Sequence, residues 1–341
     1  MIDALPLQPT LPRDRLDRPL HDLRISVMET CNYRCPYCMP EGLTPDETAL
    51  DRAGRLDFDE IVTAVRAFAR LGVSKLRLTG GEPLLRKRLP DLVARLAAVP
   101  GIEDLALTTN GSLLAGQAQA LREAGLHRLT VSLDALDPAL FRALSGGRGD
   151  VQEVLAGIAA AESAGFRSIK VNCVVQRGLN DEEAVAIAHY FRGTPHVPRF
   201  IEYMDVGNCN GWRREGVVPS AELRDRIHAR WPLTPLTPSY RGEVAKRHGY
   251  QDGAGEIGFV SSVSDPFCGD CHRARLSADG QLFTCLFASR GQPLRAHIGR
   301  GEDALAAHLA ALWRVRSDRY SEQRASAPAD RRKIEMFYIG G

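Results

Sequence analysis

From about residue 21 the chain alternates short β-like runs with longer stretches of helical period. The runs are Leu23 to Val27, Lys75 to Thr79, Asp104 to Thr108, Arg128 to Ser132, Ile169 to Val175 and Arg199 to Glu202. Asp59 to Leu71 predicts a helix with Ile61, Val65, Phe68 and Ala69 on one face, opened by an Asp57-x-x-Glu60 capping box and stopped at Gly72. A similar helix is expected after Asn180, with Asn180 as cap and Glu183 three residues on. Another, Glu302 to Val315, sets Leu305, Leu309 and Leu312 in register. Repeated strand-helix units predict a parallel sheet with outer helices, and periodicity alone leaves both an incomplete barrel and an open doubly wound sheet possible.

Parallel strands covered on both faces read as nearly continuous apolar runs. These do not. Leu23, Ile25 and Val27 alternate with Arg24 and Ser26; Leu76 and Leu78 with Lys75, Arg77 and Thr79; Val171, Cys173 and Val175 with Lys170 and Asn172. Thr130 and Ser132 share a face, and Thr108 ends a strand. Unpaired Arg and Lys are too costly to bury in an apolar interior, so one polar face per strand predicts a cavity filled by water or ligand.

The length of 341 residues supports a sizeable core, and 44% hydrophobic with 25% charged residues excludes disordered, collagenous and membrane-spanning chains. A net charge of +2 advertises neither nucleic acid nor an anionic membrane as partner. Met1 to Leu20 has neither a basic n-region nor an apolar core, so a cytoplasmic protein is expected. That proline-rich stretch reads as a flexible arm (1–20). After Tyr203 the alternation fades, which puts a boundary near residues 210 to 220.

Six of the eight cysteines form two trios. Cys31-x3-Cys35-x2-Cys38 follows the first strand at the carboxyl end of the sheet, where sites in α/β proteins gather. Three local thiolates, where a closed zinc site or an ordinary four-iron cluster wants four ligands, leave one metal position open. Cys268-x2-Cys271-x13-Cys285 repeats the number outside the β/α repeat, with Arg273 and Arg275 beside it. Zinc with a distant fourth ligand stays open for both trios, His297 being a candidate at the second. His272 is too close to Cys271 to be a comfortable co-ligand. Cys173 and Cys209 read as small buried hydrophobes. No Gly-x4-Gly-Lys-Ser/Thr loop occurs, so a P-loop nucleotide site is excluded.

Cys31-Asn32-Tyr33-Arg34-Cys35-Pro36-Tyr37-Cys38-Met39-Pro40 resembles the radical S-adenosylmethionine (SAM) signature, and Gly80-Gly81-Glu82-Pro83 after the second strand strengthens the likeness. From about residue 21 to the end the chain resembles, within that superfamily, the GTP 3′,8-cyclase family of molybdenum cofactor biosynthesis. The resemblance rests on Leu23-Arg24-Ile25-Ser26, Arg77, Thr108-Thr109-Asn110-Gly111, Val131-Ser132-Leu133-Asp134 and Lys170-Val171-Asn172. It extends through Arg199 to Asp205, Cys268-x2-Cys271-x-Arg273-Ala274-Arg275-Leu276, Cys285 and Gly340-Gly341. Met28-Glu29-Thr30 and His272 depart from the family's usual residues without removing a ligand.

The resemblance implies an incomplete (β/α)6 TIM-like barrel over 21–215, with a C-terminal region, 216–341, that carries a second cluster and covers the open side. It implies two [4Fe-4S] clusters, on Cys31, Cys35 and Cys38 with SAM at the fourth iron, and on Cys268, Cys271 and Cys285 with the guanine of GTP at the open iron. Tyr37, Gly81, Ser132 and Met204 would contact SAM. Arg24, Arg77, Thr108, Lys170, Arg273, Ala274 and Arg275 would hold GTP, whose triphosphate carries about four negative charges. Arg273, Arg275 and a tail ending in Gly340 and Gly341 would support catalysis.

The implied activity is that of a lyase: a 5′-deoxyadenosyl radical takes hydrogen from C3′ of GTP, C3′ bonds to C8, and 3′,8-cyclo-7,8-dihydro-GTP results. The implied partners are an electron donor and a cyclic pyranopterin synthase that accepts the product; a homodimer is compatible, and neither nucleic acid nor membrane is expected. The nearest competing reading is a peptide-modifying radical SAM maturase, which generally carries more C-terminal cysteines. A metal-binding regulator of nucleic acid is the competitor from another class, and it would need a basic face that the net charge does not support.

Overall fold

A computed structural model describes residues 11–42, 54–326 and 332–340. Six strands form in the expected order: β1 (Asp22–Ser26), β2 (Lys75–Thr79), β3 (Asp104–Thr109), β4 (Arg128–Ser132), β5 (Lys170–Val175) and β6 (Val197–Glu202). They pair in parallel, each with the next. The crossovers carry α1 (Phe58–Ala69), α2 (Leu89–Ala97), α3 (Ala118–Glu123), α4 (Pro138–Leu144), α5 (Val151–Ser163) and α6 (Glu183–Phe191). The Asp57 and Glu60 side chains and backbones exchange both bonds of the expected capping box, and Gly72 takes φ +98° just past the helix.

The remaining strands and α-helices are α7 (Ser220–His228), β7 (Leu233–Pro235), β8 (Lys246–Tyr250), β9 (Glu256–Val260), β10 (Arg273–Leu276), β11 (Gln281–Phe283), β12 (Gln292–Pro293), α8 (Arg295–Ile298), α9 (Glu302–Arg314), α10 (Tyr320–Gln323) and α11 (Met336–Ile339). They do more than cover an opening. Strand β10 pairs in parallel with β1, and β9 in parallel with β6, so the sheet grows at both edges to twelve strands in the order β12-β11-β10-β1-β2-β3-β4-β5-β6-β9-β8-β7. The partial barrel therefore continues into residues beyond 215, and the arginine pair of the second cysteine motif stands on a sheet strand.

One face of β1 to β5 supplies the core. Leu23, Ile25, Leu76, Leu78, Leu105, Leu107, Val131, Val171 and Cys173 are all at most 1% exposed, packed under the helices. Each such buried aliphatic side chain contributes about 1.5–3 kcal/mol of hydrophobic stabilisation, which offsets the polar opposite face. Helix α9 lies against α1, with Leu305 and Leu309 buried and Arg66 paired to Glu302 at 3.4 Å.

Three expectations need correction. Residues 11–20 fold against the C-terminal region and do not extend as a separate arm; residues 1–10 lie outside the described residues. Asp14 accepts from the backbone of Leu16 and Arg18 and from Arg18 Nε at 2.6 Å, and it pairs with Arg316 at 3.1 Å; the Asp14, Arg18 and Arg316 side chains are buried. Long-range charge pairing, invisible in local composition, ties the segment down. Asn180 does not cap α6, which begins at Glu183 without a side-chain cap. Its amide instead donates to the carbonyls of Asp134 and Val174, both at 2.9 Å, closing the ends of β4 and β5. Cys173 is buried as expected, but Cys209 is exposed on a surface loop, its Sγ 3.3 Å from Glu335 Oε1.

Candidate active site

The first cysteine loop leaves the end of β1 and is held from below by the turn after β2. Gly81 N donates to Met28 O at 2.6 Å, and Glu82 N to Thr30 O at 2.8 Å. A Cβ on Gly80 would lie 2.2 Å from Met28 O, and one on Gly81 2.2 Å from Thr30 O, so only glycine permits this approach. Both glycines are thus required by the cysteine loop itself. The buried Glu82 carboxylate accepts from Leu84 N, Thr109 Oγ1 and Asn110 N, and burial still pushes its pKa up to about 7. Within the loop, Arg34 Nη1 donates to the carbonyls of Cys31 (2.6 Å) and Tyr33 (2.8 Å), and Cys38 N and Met39 N both donate to Cys35 O. The departing residue Glu29 is fully buried and is met by Arg55 Nε at 2.8 Å.

The second loop is fastened by the N-terminal segment and by Arg316. Arg18 Nη1 donates to Cys268 O at 2.7 Å; Arg316 donates to Cys271 O at 2.7 Å and approaches Cys271 Sγ at 3.4 Å. Arg273 reaches the same sulfur at 3.4 Å. Burial raises the Cys271 pKa, but the Arg273 and Arg316 guanidiniums outweigh it and bring the thiol down to about 6. The other cysteines of the two trios whose pKa moves, Cys31, Cys35, Cys38 and Cys285, are pushed up by burial.

Both trios line a single cavity of about 340 Å³. Among the described residues, the one set of three His, Cys, Asp or Glu ligand atoms mutually within 4.8 Å is His21, Asp22 and His272. Three thiolates on one wall of a shared cavity suit a four-iron cluster that leaves one iron for a non-protein ligand. His297 stacks on His308 with ring centroids 3.7 Å apart and does not line the cavity, so it is no fourth ligand.

Between the trios the inner sheet face is cationic, as the strand alternation predicts. Arg24, Arg77, Lys170, Arg273 and Arg275 line the cavity, joined by Lys75 and Arg199, against three carboxylates, Asp22, Glu82 and Asp134. Strand register sets Arg275, Arg24 and Arg77 side by side on β10, β1 and β2. Burial, followed by Arg275 and Arg77, pushes Arg24 well down; burial brings Arg77, Arg199 and Arg275 to about 10 and Lys170 to about 6. Arginine keeps its proton, so these buried guanidiniums carry charge that a bound polyanion would offset. Thr108 accepts from Arg77 at 3.0 Å and Thr130 at 2.9 Å, which aims that guanidinium.

Toward the first trio, Tyr37, Gly81, Ser132 and Met204 all line the cavity. Tyr37 OH donates to Asp134 Oδ2 at 2.7 Å, and the Oδ1 of Asn172, beside Ser132 across the β4–β5 register, is buried without a hydrogen-bond partner. An orphaned acceptor aimed at such a cavity fits a ligand with donor groups. Arg275 donates to the carbonyl of Gly340, whose φ is +74°; a Cβ there would lie 2.4 Å from Thr79 Cγ2. Gly341 lies outside the described residues. Ala274 does not line the cavity: strand alternation turns its methyl into the core, 1% exposed, between two inward arginines.

Sequence reasoning missed Arg199, which faces Asn172 across the β5–β6 register, and Arg316, whose partners Cys271 and Asp14 lie 45 and 302 residues away in the chain. It also missed Tyr240, which takes a hydrogen bond from Lys75 Nζ at 2.9 Å from a loop with no motif. The continuing polar alternation of β6 was the available signal for Arg199.

The chain matches the Radical SAM superfamily over residues 25–191 and Molybdenum Cofactor Synthesis C over residues 197–322. Its fold resembles that of SuiB from Streptococcus suis in a crystal structure bound to S-adenosylmethionine, at TM-score 0.61 and 15% identity, covering 86% of this chain and 68% of that one. The fold and the three-cysteine loop define the class: this is a radical SAM enzyme. Over 340 residues the chain is 64% identical to a GTP 3′,8-cyclase of Xanthomonas campestris pv. campestris (strain 8004), covering 100% of this chain and 99% of that one. It is 52% identical to a GTP 3′,8-cyclase of Acidothermus cellulolyticus, with 96% and 99% covered. The chain belongs to the GTP 3′,8-cyclase family of molybdenum cofactor biosynthesis.

Proposed function

We propose that the cavity binds SAM at the first cysteine trio and GTP between the two trios, and that the chain converts GTP to 3′,8-cyclo-7,8-dihydro-GTP. The observation that carries this reading is the row of inward basic side chains, seven against three carboxyl groups, lying between two cysteine trios on one cavity. Cys31, Cys35 and Cys38 would hold one [4Fe-4S] cluster, and Cys268, Cys271 and Cys285 the other. When bound, the first cluster supplies the electron that cleaves SAM to methionine and a 5′-deoxyadenosyl radical, and the second offers an open iron to the guanine base.

The protein's own part is positioning and shielding. Arg24, Arg77, Lys170 and Arg199 meet the triphosphate with guanidinium forks and an ammonium. Tyr37, Gly81, Ser132 and Met204 line the SAM end, where Asp134 fixes the Tyr37 hydroxyl. Arg273 and Arg275 stand beside the second trio, and the Gly340 carbonyl orients Arg275. Thr108 aims Arg77, and Ala274 serves as the core-facing spacer that keeps its two arginine neighbours on the inner face. The phosphates are held and not hydrolysed. The enzyme works in the cytoplasm, takes electrons from a separate donor and passes its product to a cyclic pyranopterin synthase. No helix among the described residues is long and apolar enough to cross a membrane.

Arg77→Ala tests the reading. It should weaken GTP binding while leaving substrate-independent SAM cleavage intact. Unchanged GTP affinity would sink the placement of the triphosphate.

A further inference from the structure

His272, one of the two departures from the family pattern, points to Asp22 on β1. Its Nδ1 stands 3.6 Å from Asp22 Oδ1, and the same oxygen is 2.7 Å from His21 Nδ1. The two imidazole rings meet edge to face with centroids 5.2 Å apart. At 3.6 Å there is no hydrogen bond. His272 Nδ1, on a side chain with 5% exposure for the residue, has no hydrogen-bond partner. Buried polar atoms are nearly always satisfied, so this orphan calls for an explanation.

The surroundings orient the three groups on one another. His21 N and Asp22 N both donate to His272 O at 3.1 Å, which locks the two segments together. Ser74 Oγ lies 3.3 Å from His21 Nε2, leaving Nδ1 for the shared site, in the way a polar partner on the far ring nitrogen orients a metal-bound imidazole. The turn at Gly242 closes over the other side of His272: a Cβ there would lie 2.4 Å from its Cδ2.

We propose that His21, Asp22 and His272 form a binding site for a zinc-class dication, separate from the two cysteine trios. Two imidazoles and a carboxylate are the donor set that such a borderline ion prefers, and three protein ligands leave a fourth position for water. The ligand atoms already lie within 4.8 Å of one another, close enough for small side-chain movements to complete the site. Lys75 Nζ, 4.0 Å from Asp22 Oδ2, is the group a dication would displace. It keeps Asp104 at 3.8 Å and the Tyr240 hydroxyl at 2.9 Å as alternatives. Since Asp22 and Lys75 both line the cavity, occupancy is coupled to the charge of its cationic wall.

The test uses anaerobically reconstituted enzyme whose iron content is measured before and after equilibrium dialysis against zinc chloride. One equivalent of zinc beyond the iron is expected, with a zinc K-edge spectrum showing imidazole and oxygen neighbours and no sulfur. His272→Asn and His21→Gln should each weaken zinc binding at least about tenfold with iron unchanged. His21 is 43% exposed, so its replacement leaves the fold intact if the buried His272 variant does not. Sulfur in the zinc shell, no zinc retained by the parent enzyme, or zinc affinity unchanged in the His21 variant would overturn the proposal.

Discussion

Replacing Arg24 with Met separates a group that holds the fold from one that waits for an anion. Arg24 has no side-chain hydrogen bond or salt bridge among the described residues, and register places it between Arg275 and Arg77. With neighbouring strands about 4.8 Å apart and an effective dielectric of about 20, each like-charged neighbour costs up to about 3 kcal/mol. Methionine keeps the aliphatic stem and removes the charge. The ligand-free protein should therefore be at least as stable as the parent in chemical denaturation. Binding loses one charge-assisted contact to phosphate, worth about 1.5–3 kcal/mol, so the Kd for GTP should rise about 10- to 150-fold in anaerobic calorimetry. Unchanged GTP affinity together with a less stable protein would refute the reasoning, because Arg24 would then be a structural cation.

Other perturbations probe the rest of the site. Burial, followed by Arg199, pulls Lys170 down to about 6, so it is mostly neutral at pH 7.5 until a polyanion raises it again. GTP binding should then take up a proton and weaken as pH rises from 6 to 8, seen as buffer-dependent binding heat that Lys170→Met abolishes; buffer-independent heat in the parent would contradict this. Gly81→Ala puts a Cβ against the Thr30 carbonyl and should expel the first cysteine loop, lowering iron by about four per chain with the second cluster retained. A full iron complement would show the loop accommodates the methyl. Asp14→Ala leaves the buried Arg18 and Arg316 guanidiniums without their shared carboxylate and should cost about 3–5 kcal/mol in denaturation, with loss of iron from the second trio. A loss below about 1 kcal/mol would mean that the N-terminal segment does not fasten that loop.

The parts of this fold that were legible are those written in local periodicity and spacing. Strands β2 and β4 run over the predicted residues, because apolar and polar side chains alternate there without interruption. The capping box of α1 is a four-residue signal and forms as read. The cationic cavity followed from the cost of burying Arg24, Arg77 and Lys170 on strands whose other face is core. What escaped was long-range. Nothing local says that Arg273 to Leu276 pairs with Asp22 to Ile25, some 250 residues earlier, yet that pairing places Arg275 beside Arg24. The proline-rich segment that holds Asp14 and Arg18 gives no local sign of anchoring, because their partner Arg316 is fixed only by the tertiary fold. Asn180 looked like a cap by position, but a buried site between two strand ends competed for its amide and won. Ala274 stands between Arg273 and Arg275, and strand parity turns its methyl to the core.

The most direct measurement follows label from substrate. Reduced, cluster-loaded enzyme is incubated with SAM and GTP deuterated at C3′, and the nucleoside and nucleotide products are analysed by mass spectrometry. Deuterium is expected in 5′-deoxyadenosine, with an equal amount of a cyclised nucleotide that keeps its triphosphate. Unlabelled 5′-deoxyadenosine, or a product that has lost phosphate, would contradict it.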